Sequence, residues 1–158
     1  MTDTEISLRE ITASTLRDVT LLSVAPEQLS YVATNAQSIA EAYFHPEAWF
    51  RGIYAGDTPV GFVMLEDWTD IPDSEPNAPI TLWRFMIDQR YQGSGYGKRA
   101  LEMVVDHVRE RTEKTGQKLF LTSYVPGDHG PRDFYLKFGF KPTGEKDGDE
   151  IILALPLR

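Results

Sequence analysis

The sequence contains no cysteine, and this absence excludes three kinds of chemistry. Without a thiol the chain has no disulfide, no cysteine nucleophile and no cysteine-bound metal. The three histidines, His45, His107 and His129, follow no metal-binding spacing, so we expect each in a loop or at the surface and predict no metal site. A reaction in this chain would therefore depend on hydroxyl, carboxyl, amino or main-chain groups.

Long apolar runs are also absent from the sequence. No segment approaches the roughly 20 apolar residues that cross a membrane, and residues 1–5 lack the basic and apolar regions of a signal peptide. We therefore expect a cytoplasmic protein with no membrane partner. The length of 158 residues fits one domain, residues 1–158, that buries roughly two-thirds of its unfolded surface.

Basic residues are scarce in the first half of the chain. Residues 1–83 carry thirteen carboxylates and three arginines, a formal charge of −10, whereas the remainder carries eleven carboxylates against thirteen basic side chains, or +2. Five carboxylates and no basic residue lie between positions 66 and 75. Such a negative field concentrates a cationic amine and disfavours nucleic acid, so we expect no nucleic-acid partner. The alternative is a solvated acidic loop that only aids solubility.

Helical and strand patterns interleave along the chain, which predicts an α/β class with a mixed, largely antiparallel sheet. A turn at residues 56–59 predicts a hairpin, Thr12 or Ser14 is expected to cap the first helix, and the proline-containing loop at residues 72–79 is the most plausible mobile element. The predicted strands are 5–11, 49–55, 60–65, 80–87, 118–124, 141–144 and 150–155, and the predicted helices are 15–23, 27–43 (one helix or a pair), 97–114 and 131–138.

The segment that joins the strand at 80–87 to the long helix at 97–114 contains glycines at 93, 95 and 97. Glycine permits positive φ, which lets neighbouring N–H groups converge, and a helix N-terminus adds about half a positive charge. The pattern therefore predicts an anion site between residues 92 and 98, suited to a pyrophosphate.

Two common nucleotide-binding patterns do not fit this segment. The P-loop requires Ser or Thr after its lysine, but Lys98 is followed by Arg99, and the dinucleotide pattern requires glycine where Lys98 stands. The pattern Q/R-x-x-G-x-G/A does fit, at Gln92-Gly93-Ser94-Gly95-Tyr96-Gly97. This is the pyrophosphate loop of the GNAT N-acetyltransferases, which bind acetyl-CoA, and the chain resembles that superfamily here.

A second motif supports the resemblance. Residues 134–140 read Phe-Tyr-Leu-Lys-Phe-Gly-Phe and match the GNAT pattern F/L-Y-x-K-x-G-F. Residues 83–88, together with 91–93, are similar to bacterial diamine and spermine/spermidine N-acetyltransferases. The resemblance implies the GNAT fold, with six to seven mostly antiparallel strands and about four helices.

The resemblance also implies a chemistry, in which an amine attacks the acetyl-CoA thioester directly in a ternary complex. Tyr135 aligns with the tyrosine that protonates the leaving thiolate, and a phenol pKa of about 10 is near the roughly 8.5 of a thiol. Main-chain groups beside a gap between two strands would contact the cofactor. The cofactor-binding residues implied are Phe85, Met86, Ile87, Gln92, Gly93, Ser94, Gly95, Tyr96, Gly97, Lys98 and Asp128.

Asp128 departs from the family pattern, because relatives often have Asn there. A carboxylate near a phosphate would repel it, so either Asp128 faces away, with Asp128 or Gly130 capping the next helix, or the contact is lost.

The acceptor side of the site is less defined by sequence. Glu66 is a candidate general base, and Glu41 is a second candidate or an ammonium ligand, with Trp83 as a further acceptor contact. A cationic polyamine is the first choice of acceptor. Aminoglycosides, protein or peptide amines, and a non-catalytic acyl-CoA-binding module remain alternatives. A homodimer through Trp49, Trp68 or the terminal strands is compatible with the resemblance.

Overall fold

The computed structural model describes residues 4–158, which form a seven-stranded sheet flanked by four α-helices. The strands are β1 (Ile6–Arg9), β2 (Ala48–Ala55), β3 (Thr58–Glu66), β4 (Ile80–Ile87), β5 (Leu119–Tyr124), β6 (Lys141–Asp147) and β7 (Glu150–Pro156). The helices are α1 (Leu16–Thr20), α2 (Asn35–Ala42), α3 (Tyr96–Thr112) and α4 (Arg132–Phe138), with short 3-10 turns at Pro26–Gln28 and Gln89–Tyr91.

The strand order across the sheet is β1-β2-β3-β4-β5-β7-β6. All neighbouring strands run antiparallel except β4 and β5, which are parallel. The prediction of a mixed, largely antiparallel sheet with about four helices is therefore confirmed.

The two faces of the sheet bury separate apolar clusters. On the first face, α3 presents a stripe of small and branched side chains to the sheet, as its 3.6-residue periodicity predicts, and α4 adds Tyr135 to the same cluster. On the second face, Val19 of α1 packs against Phe62 and Met64 of β3. The buried residues of the α3 stripe are Ala100, Leu101, Val104, Val105 and Val108.

The region between α1 and α2 differs most from the sequence-based expectation. Instead of helix over residues 27–43, a 3-10 turn is followed by irregular chain, and α2 begins only after Thr34, whose hydroxyl accepts a hydrogen bond from the Gln37 N–H at 3.1 Å. The helix begins here because the threonine side chain accepts a hydrogen bond from a first-turn amide that has no partner within the helix. The N-cap of α1 is Thr15, so the expected caps Thr12 and Ser14 were wrong.

The pairing of β4 changes along its length. A register shift against β3 leaves Trp83 as an extra residue, since Leu65 pairs with Leu82 and Met64 with Arg84. The parallel ladder with β5 ends at the pair Leu82 and Thr122. Beyond this pair β4 and β5 diverge, and the edge of β4 that faces β5 is unpaired.

At one edge of the sheet, every residue of β6 is exposed. Its pairing with β7 is interrupted by a register shift between Pro142 and Lys146, and Gly144 within that stretch has a φ of 86°.

We predict that Gly61→Ala strongly destabilises the fold. A Cβ at this position of β3 would overlap the Met86 carbonyl oxygen of β4 and lie 2.9 Å from Ile87 Cδ1, so the two strands would have to separate. We expect a loss of about 3 kcal/mol in the free energy of unfolding, measured by chemical denaturation. Gly97→Ala is the matched control, because its Cβ would lie 3.4 Å from the Phe134 ring and alanine favours helix. An equal loss in both variants would contradict this account of Gly61.

Candidate active site

A cleft of about 1620 Å³ passes through the sheet where β4 and β5 diverge. Its first-face wall includes Phe85, Phe134 and Tyr135, and its second-face wall includes Trp83 and Ser123. The cleft therefore connects the α3 and α4 side of the sheet with the α1 and α2 side. Two molecules approaching from opposite faces could meet between the strands.

The glycine loop reaches the cleft at the start of α3. Gly93 and Gly95 have φ values of 83° and 81°, as expected, and a Cβ at either position would meet nothing within 4 Å. Gly95 is the N-cap of α3, and within the described chain no side chain caps this helix. The first-turn amides are thus available to an anion.

The expectation of positive φ at Gly97 was wrong, because this residue lies inside α3 and does not have positive φ. A Cβ there would come 3.4 Å from the Phe134 ring of α4, which is an ordinary contact. Neither backbone conformation nor space therefore requires glycine at this position. Lys98, the next residue, lines the cleft.

Ser94 and Tyr96 do not line the cleft. Ser94 is exposed, and the partly buried Tyr96 ring packs against the core with the Arg99 guanidinium 5.3 Å from its centroid. Contacts of Ser94 and Tyr96 with the cofactor stay a prediction.

Gln92 does line the cleft, but its side chain is already hydrogen bonded. Its Nε2 donates to the Ile87 carbonyl at 2.9 Å and to Gln28 Oε1 at 3.0 Å. The side chain therefore ties the loop to the end of β4 and to the segment between α1 and α2.

Asp88 stabilises the turn between β4 and the same loop. This buried carboxylate accepts hydrogen bonds from the main-chain N–H groups of Ser23 and Arg90, and from the Arg90 guanidinium. Burial alone would raise the pKa of Asp88, but these hydrogen bonds and the Arg90 charge together lower it below its usual value. The carboxylate therefore stays ionised, and its hydrogen bonds stabilise the turn that follows β4.

Phe85, Met86 and Ile87 all line the cleft, and their main-chain contacts to the cofactor stay a prediction. The Phe85 ring stacks on Phe134, with 5.9 Å between centroids and an interplanar angle of 17°. Because these three residues pair with β3 and not with β5, their other main-chain edge is open to an extended ligand.

Tyr135 is 6% exposed and lies at the cleft, beside Thr122 of the last β4–β5 pair. Burial raises the pKa of Tyr135 to about 12, and the nearby Thr122 hydroxyl offsets this effect by a smaller amount. The ordinary value of about 10 assumed from sequence was therefore wrong. The phenol therefore stays protonated at any ordinary pH and is available as a hydrogen-bond and proton donor.

Carboxylates line the second-face side of the cleft. Glu66 pairs along the sheet with Thr81, below the divergence of the strands, and its Oε1 accepts a hydrogen bond from Trp68 Nε1 at 2.6 Å. Glu150 begins β7, and its Oε1 lies 3.4 Å from the Ser123 hydroxyl, next to the divergence. Sequence reasoning missed Glu150, because its position depends on β7 lying beside β5.

Residues 14–140 match the model of a family described as Acetyltransferase (GNAT) family. The chain belongs to this family. It is 29% identical over 154 residues to a spermine/spermidine N(1)-acetyltransferase of Bacillus subtilis (strain 168), covering 94% of this chain and 97% of that protein. The protein is an acetyl-CoA-dependent N-acetyltransferase.

Two solved structures share the fold of this acetyltransferase. An acetyltransferase from Thermus thermophilus has a TM-score of 0.70 at 20% identity, over 99% of each chain. The PaiA N-acetyltransferase from Thermoplasma acidophilum, solved in complex with coenzyme A, has a TM-score of 0.64 at 21% identity, over 96% of this chain and 99% of that one.

The residues of the acetyltransferase fit acetyl-CoA. The uncapped first turn of α3 and the open positive-φ glycines suit its diphosphate, and the unpaired edge of β4 suits its extended arm. Both features line the cleft, which extends from them to the Tyr135 side chain.

Glu41 is held by an ion pair in this acetyltransferase. Its Oε2 lies 3.1 Å from Arg84 Nη1, its Oε1 accepts from Gln37, and it does not line the cleft. Its predicted role as an ammonium ligand would require Arg84 to be displaced. Trp83 does line the cleft, with the Arg84 guanidinium 5.2 Å from its ring centroid.

Asp128 is exposed and does not line the cleft. The N-cap of α4 is Pro131, with no side-chain hydrogen bond, so the expected cap from Asp128 or Gly130 was wrong. Contact between Asp128 and the cofactor stays a prediction.

The acidic segment at residues 66–75 is partly neutralised from a distance. Arg111 of α3 donates to Asp67 at 2.8 Å and to Asp70 at 2.7 Å. Burial would raise the pKa of Asp67, but hydrogen bonds from Thr69 and Arg111 lower it. The sequence showed no base nearby because Arg111 is 41 positions beyond Asp70.

The other sequence-based expectations have mixed outcomes. His107 is not a surface histidine, because it is partly buried and its ring stacks on the Trp49 ring with 4.2 Å between centroids. Burial lowers the pKa of His107.

Residues 4–158 contain no cluster of three side chains suited to a metal ion. No helix in that range is long and apolar enough to cross a membrane. Trp49 and Trp68 both make contacts within the chain, and a homodimer stays a prediction.

We predict that Gly95→Ala weakens coenzyme A binding about tenfold, because a non-glycine residue at φ 81° costs about 1–2 kcal/mol or forces the loop to rearrange. Isothermal titration measures the affinity. Gly116→Ala is the matched control, since Gly116 has a φ of 74°, equally open surroundings and a position just after the opposite end of α3. Equal affinities of Gly95→Ala and Gly116→Ala would contradict this role of the loop.

Proposed function

We propose that the acetyltransferase acetylates a primary amine of a small, linear polyamine. The observation that carries this proposal is the pair of carboxylates, Glu66 and Glu150, on the acceptor side of the cleft. The arginine on the same side, Arg84, is already paired with Glu41, so its charge opposes a cationic substrate less. The Bacillus subtilis relative, named for spermine and spermidine, supports the same substrate class.

In this proposal the first-face half of the cleft holds the acetyl donor. Bound acetyl-CoA supplies an acetyl group activated as a thioester. The open main-chain edge of Phe85, Met86 and Ile87 positions this group in the gap between β4 and β5. A main-chain N–H there, directed at the thioester oxygen, would contribute about 3 kcal/mol to the rate.

The second-face half of the cleft prepares the amine. Glu150, beside the divergence of β4 and β5, attracts the ammonium group, and either Glu150 or Glu66 takes its proton directly or through water. The free amine nitrogen then bonds to the acetyl carbon, and the carbon–sulfur bond breaks. Tyr135 gives the departing sulfur a hydrogen bond and then its proton, and the second proton lost by the acetylated nitrogen restores the phenol through solvent.

The test of the proposed function follows thiol release from acetyl-CoA with three acceptors: spermidine, an aminoglycoside and a lysine-containing peptide. We expect the highest kcat/KM with spermidine, because a slender polycation can reach the carboxylates that line the acceptor side of the cleft. Faster thiol release with the aminoglycoside or the peptide would identify that compound, and not the polyamine, as the preferred acceptor. Tight binding of acetyl-CoA with no release on any amine would identify a non-catalytic binding module.

We predict that Tyr135→Phe lowers kcat with spermidine about a hundredfold and changes the affinity for coenzyme A little. The phenol keeps its proton up to a pKa of about 12, so the wild-type rate should show no loss from tyrosine ionisation as the pH rises through 10. The pH–rate profile and a coenzyme A titration measure both effects. Tyr54→Phe, a buried tyrosine of β2 outside the cleft, is the control. Equal kcat in the two variants would remove Tyr135 from the reaction.

A further inference from the structure

The irregular chain between α1 and α2 lies along the cleft. We call residues 26–33 the bridging segment, and each of residues 28–33 lines the cleft. The segment belongs to the second face of the sheet, where its Val32 packs against the cluster around Phe62 and Met86. It therefore forms part of the acceptor side.

One side of the bridging segment is attached to the cofactor loop. Gln28 Oε1 accepts hydrogen bonds from the Ala25 N–H at 3.1 Å and from Gln92 Nε2 at 3.0 Å. Gln92 in turn donates to the Ile87 carbonyl at the end of β4. The segment is thus fixed to the β4 wall of the cleft.

The other side of the bridging segment contacts the opposite wall through Tyr31. The Tyr31 ring lies against the loop between β5 and α4, where a Cβ on Gly127 would overlap the Tyr31 hydroxyl and one on Gly130 would lie 3.1 Å from the ring. Neither glycine has positive φ, so space rather than backbone conformation requires glycine. The sequence therefore keeps room for Tyr31 at this contact.

The bridging segment joins the two walls that diverge from the pair Leu82 and Thr122. The contact of Tyr31 with Gly127 narrows the acceptor side, and the carboxylates Glu66 and Glu150 lie on the sheet face below. A linear alkylamine needs only a narrow opening, whereas a branched or ring-containing amine needs a wide one.

We infer that Tyr31 is a specificity-determining residue, which excludes bulky amines and water from the acceptor side by bridging the cleft to Gly127 and Gly130. This inference rests on the proposed function, because it concerns the acceptor of the same reaction. It makes Tyr31 a boundary of the acceptor space and assigns it no proton transfer.

The test compares Tyr31→Ala with wild type in two assays. In the first, kcat/KM is measured for spermidine and for an aminoglycoside, and we expect the aminoglycoside-to-spermidine ratio to rise about tenfold or more. In the second, thiol release from acetyl-CoA is measured without any amine, and we expect it to increase because water reaches the thioester. Coenzyme A affinity should stay close to that of wild type.

Two further variants make the result specific. Tyr43→Ala removes a tyrosine that is 85% exposed and outside the cleft, and it should leave both assays unchanged. Gly127→Ala keeps Tyr31 but displaces its ring from the opposite wall, so it should change both assays in the same direction as Tyr31→Ala. It also provides the test if Tyr31→Ala does not fold.

An unchanged acceptor ratio together with unchanged amine-independent release, in a folded Tyr31→Ala or Gly127→Ala protein, would overturn the inference. If wild type acetylates no amine, the proposed function fails. The amine-independent release then still decides whether Tyr31 closes the cleft, because that assay needs only acetyl-CoA and water.

Discussion

The early end of hydrogen bonding between β4 and β5 is the constraint on which the rest of this structure depends. Because the parallel ladder stops at Leu82 and Thr122, an opening passes through the middle of the sheet, and one edge of β4 keeps free main-chain groups. The same divergence brings Tyr135 to the opening. A continuous ladder would bury these groups and separate the two faces.

An opening within a sheet removes hydrogen bonds between neighbouring strands. Polar contacts at the edge of the opening stabilise the structure in their place. Asp88 and Gln92 hold the turn after β4, and Gln28 extends that network to the acceptor side. On the other wall, the Tyr31 side chain packs directly against Gly127. The two halves of the site are therefore connected by direct contacts, although they lie on opposite faces of the sheet.

The sequence predicted the parts of the site that are local in the chain. The glycine loop, the strand before it and the Phe-Tyr motif of α4 each consist of neighbouring residues, so their spacing and the resemblance to the GNAT family identified them. Contacts between distant segments were out of reach: the pairing of Glu41 with Arg84 and the approach of Glu150 to Ser123 depend on the strand order and on where α2 packs. The irregular chain before α2 was missed because its apolar residues imitate helical periodicity.

The exposed edge strand β6 has a consequence for self-association. Pro142 offers no N–H, the register shift removes regular pairing over the following residues, and lysines stand at both ends of this interruption. These are the devices by which proteins prevent sheets from joining edge to edge. A second copy of the chain thus has no continuous row of main-chain donors and acceptors to extend here, and a dimer at this edge would be built from side chains instead.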